Sequence, residues 1–556
     1  MQDMRWLVLL AVLLWGCTGS TTPGLTAPDE SSTTTTTLTE TTTSASSTTT
    51  SVAGSSVLRM GTVIPIDSLD PADALTFGDW EILLAVNEGL LRREPGDGAL
   101  VPGIAEDLPE MSEDGLTYTF HLRSDVVFSD GTILTAPMYV DSIERVMQLG
   151  GRNSDLVSLY VSRVEAPDDM TVIFHLKDRV AFFPTLVATT PYSPTHPDVY
   201  PVDELVPFPE TPIHGVGPWS LVDYSESEMV LEPNPQYYGD PATTGRIVIT
   251  TFESPDDMAN ALVGDHIDFG WRGMDSQAAA LLSEAEGVTL ELVPGGTLHF
   301  LTVNHRLSPT DDPVVRQAIA ELIDRDAILE TVLGGAFVPA FSPVPPGYAG
   351  SSESFLESYG EPDITHAIEL LQEAGYTDVN RAEIELAYPP ERFGPEIAAA
   401  MEGLELQIES TGLVEVTLTS QPWNTYVGDV VEGAYNLAFL GWLHDFPDTH
   451  NYLAPFILAG GLGGSGENLE NPEMVDMLTE AGMTSDETQR AQLYSEVQSL
   501  FAEDVVTVPL WIDHPYIAYR DTVVASAQFD YPKSLNVGST MLLDFRSIGV
   551  QSDTSG

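Results

Sequence analysis

The sequence predicts an α/β body of several lobes, and three observations carry that expectation. Strand-type and helix-type patterns alternate along residues 57–549. The chain runs to 556 residues, 43% of them hydrophobic, enough for three or four lobes with cores of their own at about 150 residues each. Beyond an apolar leader there is no run of ~18 apolar residues, so the body is expected to be water-soluble.

Each element follows from local pattern. Tyr118, Phe120 and Leu122 alternate with Thr117, Thr119 and His121, the period of a half-buried strand. Val172, Phe174 and Leu176 repeat it around Ile173 and His175. A helix opens at Asp312-Pro313, with Asp as N-cap and Pro at the first helical position. Its apolar face is Val315, Ile319, Leu322 and Ile323. A second helix runs from Asp326 through Ile328, Leu329, Val332 and Leu333, and Gly334-Gly335 ends it. Further helices fit Ile364–Ala374, closed by Gly375, and Pro395–Glu409. Val414, Val416 and Leu418 form a strand. Asn436–Trp442 is a short apolar run, expected to be a strand covered on both faces.

The first 56 residues are not expected to belong to the body. Leu7–Trp15 is an apolar run of about nine residues preceded by Arg5, the length of a signal-peptide core and too short to cross a bilayer. Residues 1–17 read as a lipoprotein signal peptide, and Leu14-Trp15-Gly16-Cys17 resembles a bacterial lipobox with Cys17 as the lipidation site. Cys17 is the sole cysteine, so the fold has no intrachain disulfide. Residues 18–56 are nearly all Thr, Ser, Gly, Ala and Pro, and cannot bury enough apolar surface to offset their ordering entropy. They read as a disordered linker tying the body to the outer face of the cytoplasmic membrane.

Charge excludes whole classes of partner. Asp plus Glu number 84 against 21 Lys plus Arg, a formal net charge of −63. A basic surface for nucleic acid or for anionic lipid is ruled out. There is no P-loop, G-x-S-x-G elbow, H-E-x-x-H or nucleophilic cysteine, so the reading is a non-enzyme without cofactor, and any ATPase is a separate protein. Gly461–Gly466 matches G-x-G-x-x-G but follows no strand, and reads as a loop.

The body resembles a family 5 solute-binding protein of bacterial ABC transporters, the group that includes dipeptide- and oligopeptide-binding lipoproteins. The resemblance rests on motifs in order. They are Leu69-Asp70-Pro71-Ala72, Asn87-Glu88-Gly89-Leu90, Asp114-Gly115-Leu116-Thr117-Tyr118, Phe128-Ser129-Asp130-Gly131-Thr132, Gly215-Val216-Gly217-Pro218-Trp219, Asn234-Pro235-Gln236-Tyr237-Tyr238, Val315-Arg316-Gln317-Ala318 and Gly441-Trp442 through Asp445-Phe446-Pro447-Asp448. It implies a periplasmic-binding-protein-like, three-lobed fold with the ligand cleft between lobes I and III. Lobe I is discontinuous (57–92, 206–298 and 511–549), lobe II spans 93–205 and lobe III 299–510, with a tail at 550–556. Two strand-like crossings serve as the hinge. The implied partners are a peptide, ABC permease subunits and a separate ATPase, with the protein a monomer. A nickel chelate, opine or oligosaccharide cargo, or a ligand sensor on the same fold, is the alternative.

Asp445 is the sharpest ligand candidate. It lies three residues past the strand ending at Trp442, at a strand's carboxyl end, where ligands favour α/β proteins. In peptide-binding relatives an Asp at this motif position pairs with the ligand's α-ammonium group. Trp442 and Trp423 are expected to stack on the ligand, with core packing as the alternative. Tyr516 and Tyr519, and Phe77 and Trp80, are weaker candidates. No Lys or Arg occurs between Arg392 and Arg490, while sixteen Asp or Glu do, so this wall of the cleft favours an amine-bearing guest. Arg392 is the weak candidate for a ligand carboxylate. His444, Asp445, Asp448 and His450 are metal-competent types, but nothing in a Pro-containing loop makes them converge, and no metal is expected.

Overall fold

The computed structural model describes residues 56–94, 98–242, 244–394, 396–458, 471–525 and 542–550. Cys17, the leader, residues 18–55 of the linker and Gly461–Gly466 lie outside the described residues.

Three sheets organise the body. The first has seven strands, in the order Val288–Leu292, Tyr516–Arg520, Phe269–Trp271, Val57–Thr62, Arg246–Thr251, Glu228–Pro233 and Trp219–Tyr224. Val57–Thr62 runs parallel to both of its neighbours, and the outer pairs are antiparallel. Its strands come from three separate stretches of chain. The second sheet is antiparallel: Glu110–Met111, Thr117–His121, Thr171–Leu176 and Val161–Glu165. Tyr118, Phe120, Val172 and Phe174 are buried, as the alternation requires.

The third sheet has six strands, in the order Phe337–Pro339, Thr507–Asp513, Leu298–Val303, Leu437–Trp442, Ala382–Tyr388 and Val414–Ser420. Leu298–Val303 pairs antiparallel with both neighbours, and all six of its residues are buried. Helices cover the sheet. Pro313–Leu322 is capped by Asp312, whose side chain accepts from the Val314 N–H, and it buries Val315, Ile319 and Leu322. The second expected helix is Arg325–Ile328 under an Asp324 cap, widening into a π-type turn at Leu329–Leu333. Gly334 follows with φ 68°, the left-handed region glycine adopts at low cost.

The chain crosses between the first and third sheets twice, from Leu292 to Leu298 and from Asp513 to Tyr516. The crossings lie side by side. Val293 donates its N–H to the Pro515 carbonyl at 3.0 Å, and Asp513 donates to the Thr297 carbonyl at 3.2 Å. The strand Thr507–Asp513 stays in the third sheet three residues past the expected boundary at 510. Val550, expected to open the tail, instead pairs with Val523 in a short antiparallel ladder.

Candidate functional site

A cavity of about 460 Å³ is lined by residues 75–94 on one side, by Leu156, Thr185, Ala188 and Thr189 from the stretch that holds the second sheet, and by the third sheet. One wall is the helix Phe77–Val86. Thr76 caps it: its hydroxyl accepts from Asp79 N–H, and the Asp79 carboxylate accepts from Thr76 N–H, both at 3.1 Å. The helix turns Phe77, Trp80, Glu81 and Leu84 into the cavity, the i, i+3, i+4, i+7 set of one face. Phe77 and Trp80, the weaker candidates of the sequence, both line the cavity.

The floor is the third sheet, and strand parity decides which residues reach it. Successive side chains of a strand point to opposite faces. Leu298 pairs with Trp442 and with Ile512, while His299 pairs with Gly441 and with Trp511. Thr297, His299, Gly441, Leu443 and Asp513 therefore share the face that lines the cavity. Trp442 falls on the other face. Its ring is buried in the lobe's core against Phe456, and its indole N–H donates to the Asn451 carbonyl at 2.9 Å. Trp442 is a core residue, not a cavity residue. His299 stacks on Phe439 at 5.7 Å, and burial pushes its imidazole down to about 3, so it is neutral. A Cβ on Gly441 would stand 2.9 Å from the Phe393 ring, so glycine here keeps the floor open.

Asp445 lines the cavity from the loop between Trp442 and the helix Thr449–Ile457. Asn451 fixes it: Asp445 N–H donates to Asn451 Oδ1 at 2.8 Å, and Asn451 Nδ2 donates to Asp445 Oδ2 at 3.2 Å. Burial raises its carboxyl to about 6, against the smaller downward pull of the Asn451 amide. The loop is anchored on both flanks. Phe446 stacks on Phe182 of the second lobe at 5.1 Å, and Arg93 Nη2 donates to the Pro447 carbonyl at 3.1 Å.

The remaining candidates separate. Trp423 opens the helix Trp423–Glu432 behind the cavity wall, and the guanidinium of Arg392, which does line the cavity, lies 4.5 Å from its ring centre. Tyr516 and Tyr519 are in the seven-stranded sheet and do not line the cavity. Tyr519 stacks on Phe269 and donates its hydroxyl to Glu291 at 2.8 Å. No group of three metal-competent side chains converges among the described residues. In the 444–450 segment, Asp448 caps a helix by accepting from His450 N–H, and His450 stacks on Phe182. Burial holds His444 at about 3 and His450 at about 4, each neutral.

Four residues that sequence reasoning passed over also line the cavity: Arg93, Asn87, His299 and Asp513. Asp513 carried the same signal as Asp445, an acid at the end of an apolar strand. Arg93 donates to the Gly98 carbonyl, to Thr185 and to Pro447, and its buried Nε has no partner among the described residues.

Charge in the cavity is unevenly paired. Glu81 holds Arg272 at 2.7 Å, Glu88 and Glu94 hold Arg92 at 3.2 and 2.6 Å, and Asp544 holds Arg546 at 2.7 Å. Asp445 and Asp513 form no ion pair among the described residues. Isolated carboxylates in a partly dehydrated cleft attract a cation much more strongly than in water.

A family model described as bacterial extracellular solute-binding proteins, family 5 Middle, matches residues 99–463. The oligopeptide-binding protein OppA of Bacillus subtilis (strain 168) is 25% identical over 506 residues, covering 85% of this chain and 89% of that protein. The unliganded open form of the periplasmic murein tripeptide binding protein MppA aligns with a TM-score of 0.75 at 20% identity, over 90% of this chain and 98% of its own. The periplasmic binding protein DppA from Helicobacter pylori, in complex with the peptide STSA, gives a TM-score of 0.70 at 22% identity, over 89% and 98%. A match over more than half of the chain, on a fold shared with solved binding proteins, establishes that the chain belongs to the bacterial extracellular solute-binding proteins of family 5.

Proposed function

We propose that the protein captures a peptide in the cavity between lobes I and III, by hinge closure at the two crossings, and delivers it unaltered to an ABC permease driven by a separate ATPase. The observation that carries this is Asp445, a carboxylate in the cavity that forms no ion pair among the described residues. A peptide's α-ammonium group supplies that cation through a charge-assisted hydrogen bond. The names of OppA and of the peptide-bound DppA support a peptide as cargo. Arg93, which forms no ion pair among the described residues, supplies a cation for the peptide's C-terminal carboxylate. The protein is held at the outer face of the membrane through a lipid on Cys17 and the linker of residues 18–56, and it works as a monomer.

Native mass spectrometry of the purified protein tests the cargo: a bound mass matching a short peptide is expected, and a bound chelate or sugar overturns the reading. Arg93→Ala is expected to weaken a free-acid peptide about tenfold while leaving its C-terminal amide within twofold, in the range of one charged hydrogen bond. Equal losses for both forms remove Arg93 from carboxylate recognition.

A further inference from the structure

The third sheet presents not one isolated carboxylate to the cavity but two. Asp445 follows the strand Leu437–Trp442, and Asp513 ends the strand Thr507–Asp513. Both strands flank Leu298–Val303 and run antiparallel to it, so their carboxyl ends emerge at the same edge of the sheet. Those strand ends are two interstrand spacings apart, about 10 Å. Asp513 accepts from Thr297 N–H at 2.9 Å, which fixes the side chain but leaves its charge unmatched. The charge of Arg272 reaches it, but that guanidinium is already held by both oxygens of Glu81 through its Nε, at 3.2 and 3.3 Å, and by Oε1 through its Nη2, at 2.7 Å.

Two further groups lining the cavity are buried polar groups without partners among the described residues. Asn87 is 1% exposed, and neither its amide nitrogen nor its amide oxygen has a partner among the described residues. His299 is 6% exposed, and its Nδ1 is likewise unpartnered. Both side chains line the cavity. Buried polar groups left without partners are costly, and a bound ligand is what satisfies them in a binding site.

We infer that Asp513 is a second anionic anchor, and that the preferred cargo carries two cationic groups: an α-ammonium group for Asp445 and a basic side chain, such as lysine or ornithine near the amino end, for Asp513. This deepens the peptide reading and rests on it for the first of the two cations. Two charges cleared of protein counter-ions disfavour a guest that neutralises only one, because the other stays desolvated and unpaired.

Calorimetry on the full chain with Ala-Lys-Ala and its uncharged isostere Ala-norleucine-Ala tests this, with 1,5-diaminopentane as a non-peptide probe. The wild-type protein is expected to bind the lysine peptide at least tenfold more tightly than the norleucine peptide. Asp513→Asn, which keeps an acceptor for Thr297 N–H, is expected to bring the two within twofold, by weakening the lysine peptide and by relieving the unpaired charge that the norleucine peptide leaves. Circular dichroism and a thermal transition like those of the wild type show that the variant is folded. Equal wild-type affinities, a preference that survives Asp513→Asn, or an equal loss for both peptides overturns the inference. If neither peptide binds but diaminopentane does, and Asp513→Asn abolishes that binding, the peptide reading fails and the two-anchor site stands. If diaminopentane also fails to bind, or binds regardless of Asp513, the two-anchor site falls as well.

Discussion

Asp445 has a protonation behaviour that differs between the empty and loaded protein. Burial lifts its carboxyl to about 6, and the same cause lifts Asp513 to about 6 against the Thr297 hydrogen bonds and the charge of Arg272. A carboxyl raised in the folded state stabilises the fold below its unfolded value of about 4, and that contribution is lost as pH rises through about 6. Asp445→Asn is therefore expected to raise the Tm of the empty protein at pH 8 by about 2 °C or more, and to leave it unchanged at pH 4; thermal denaturation at the two values checks this. Binding has the opposite slope. A cationic guest needs the charged carboxylate, whose population falls about tenfold between pH 7 and pH 5, so affinity for a simple amine-bearing peptide should fall by about that factor. A flat calorimetric profile over this range contradicts the assignment. At Gly441 the issue is space: Gly441→Val places a side chain against Phe393 where the floor is open, and at least a tenfold loss of peptide affinity with a folded protein is expected.

Elements were the scale at which the sequence was most legible. The strands at Thr117–His121, Thr171–Leu176, Val414–Ser420 and Leu437–Trp442, and the helix capped by Asp312, stand where alternation and capping put them. What the pattern could not supply was the face. In Leu437–Trp442 every residue but Gly441 is buried, so no polar alternation marks the cavity side, and Trp442 was assigned to the ligand when one residue of parity sends it to the core. Trp423 is expected to stack on the ligand, yet with Pro422 as N-cap it opens a helix behind the cavity wall. Tyr516 and Tyr519 either face the cleft or pack, by their position in the chain, and the structure shows packing: their strand pairs with Val288–Leu292 and Phe269–Trp271, and neither lines the cavity. Phe77 and Trp80 belonged to a face that Glu81 and Leu84 complete, so a helical reading of Phe77–Val86 finds that wall. Because this helix carries the wall, Thr76→Ala should cost about 1 kcal/mol of stability through the lost cap, measured by chemical denaturation.

Across the whole molecule, the resemblance motifs turn out to join lobes. Asp70, in the opening motif, is fully buried and accepts from Nη1 and Nη2 of Arg145, each at 2.7 Å, on a helix of lobe II. Arg145 also donates to the Pro201 and Glu204 carbonyls. Asp70→Asn leaves a buried guanidinium uncompensated, and a loss of about 3–5 kcal/mol is expected by denaturant titration. The two crossings lie side by side, paired at Val293–Pro515 and Thr297–Asp513, and the proposed hinge closure would turn about them. The proposed cargo is a peptide held in the cleft by its amino end. The most direct measurement is calorimetry of one tripeptide with a free amine and with that amine acetylated. Acetylation is expected to weaken binding at least a hundredfold, and Asp445→Ala to erase the difference. An acetylated peptide that binds as tightly as the free one would contradict it.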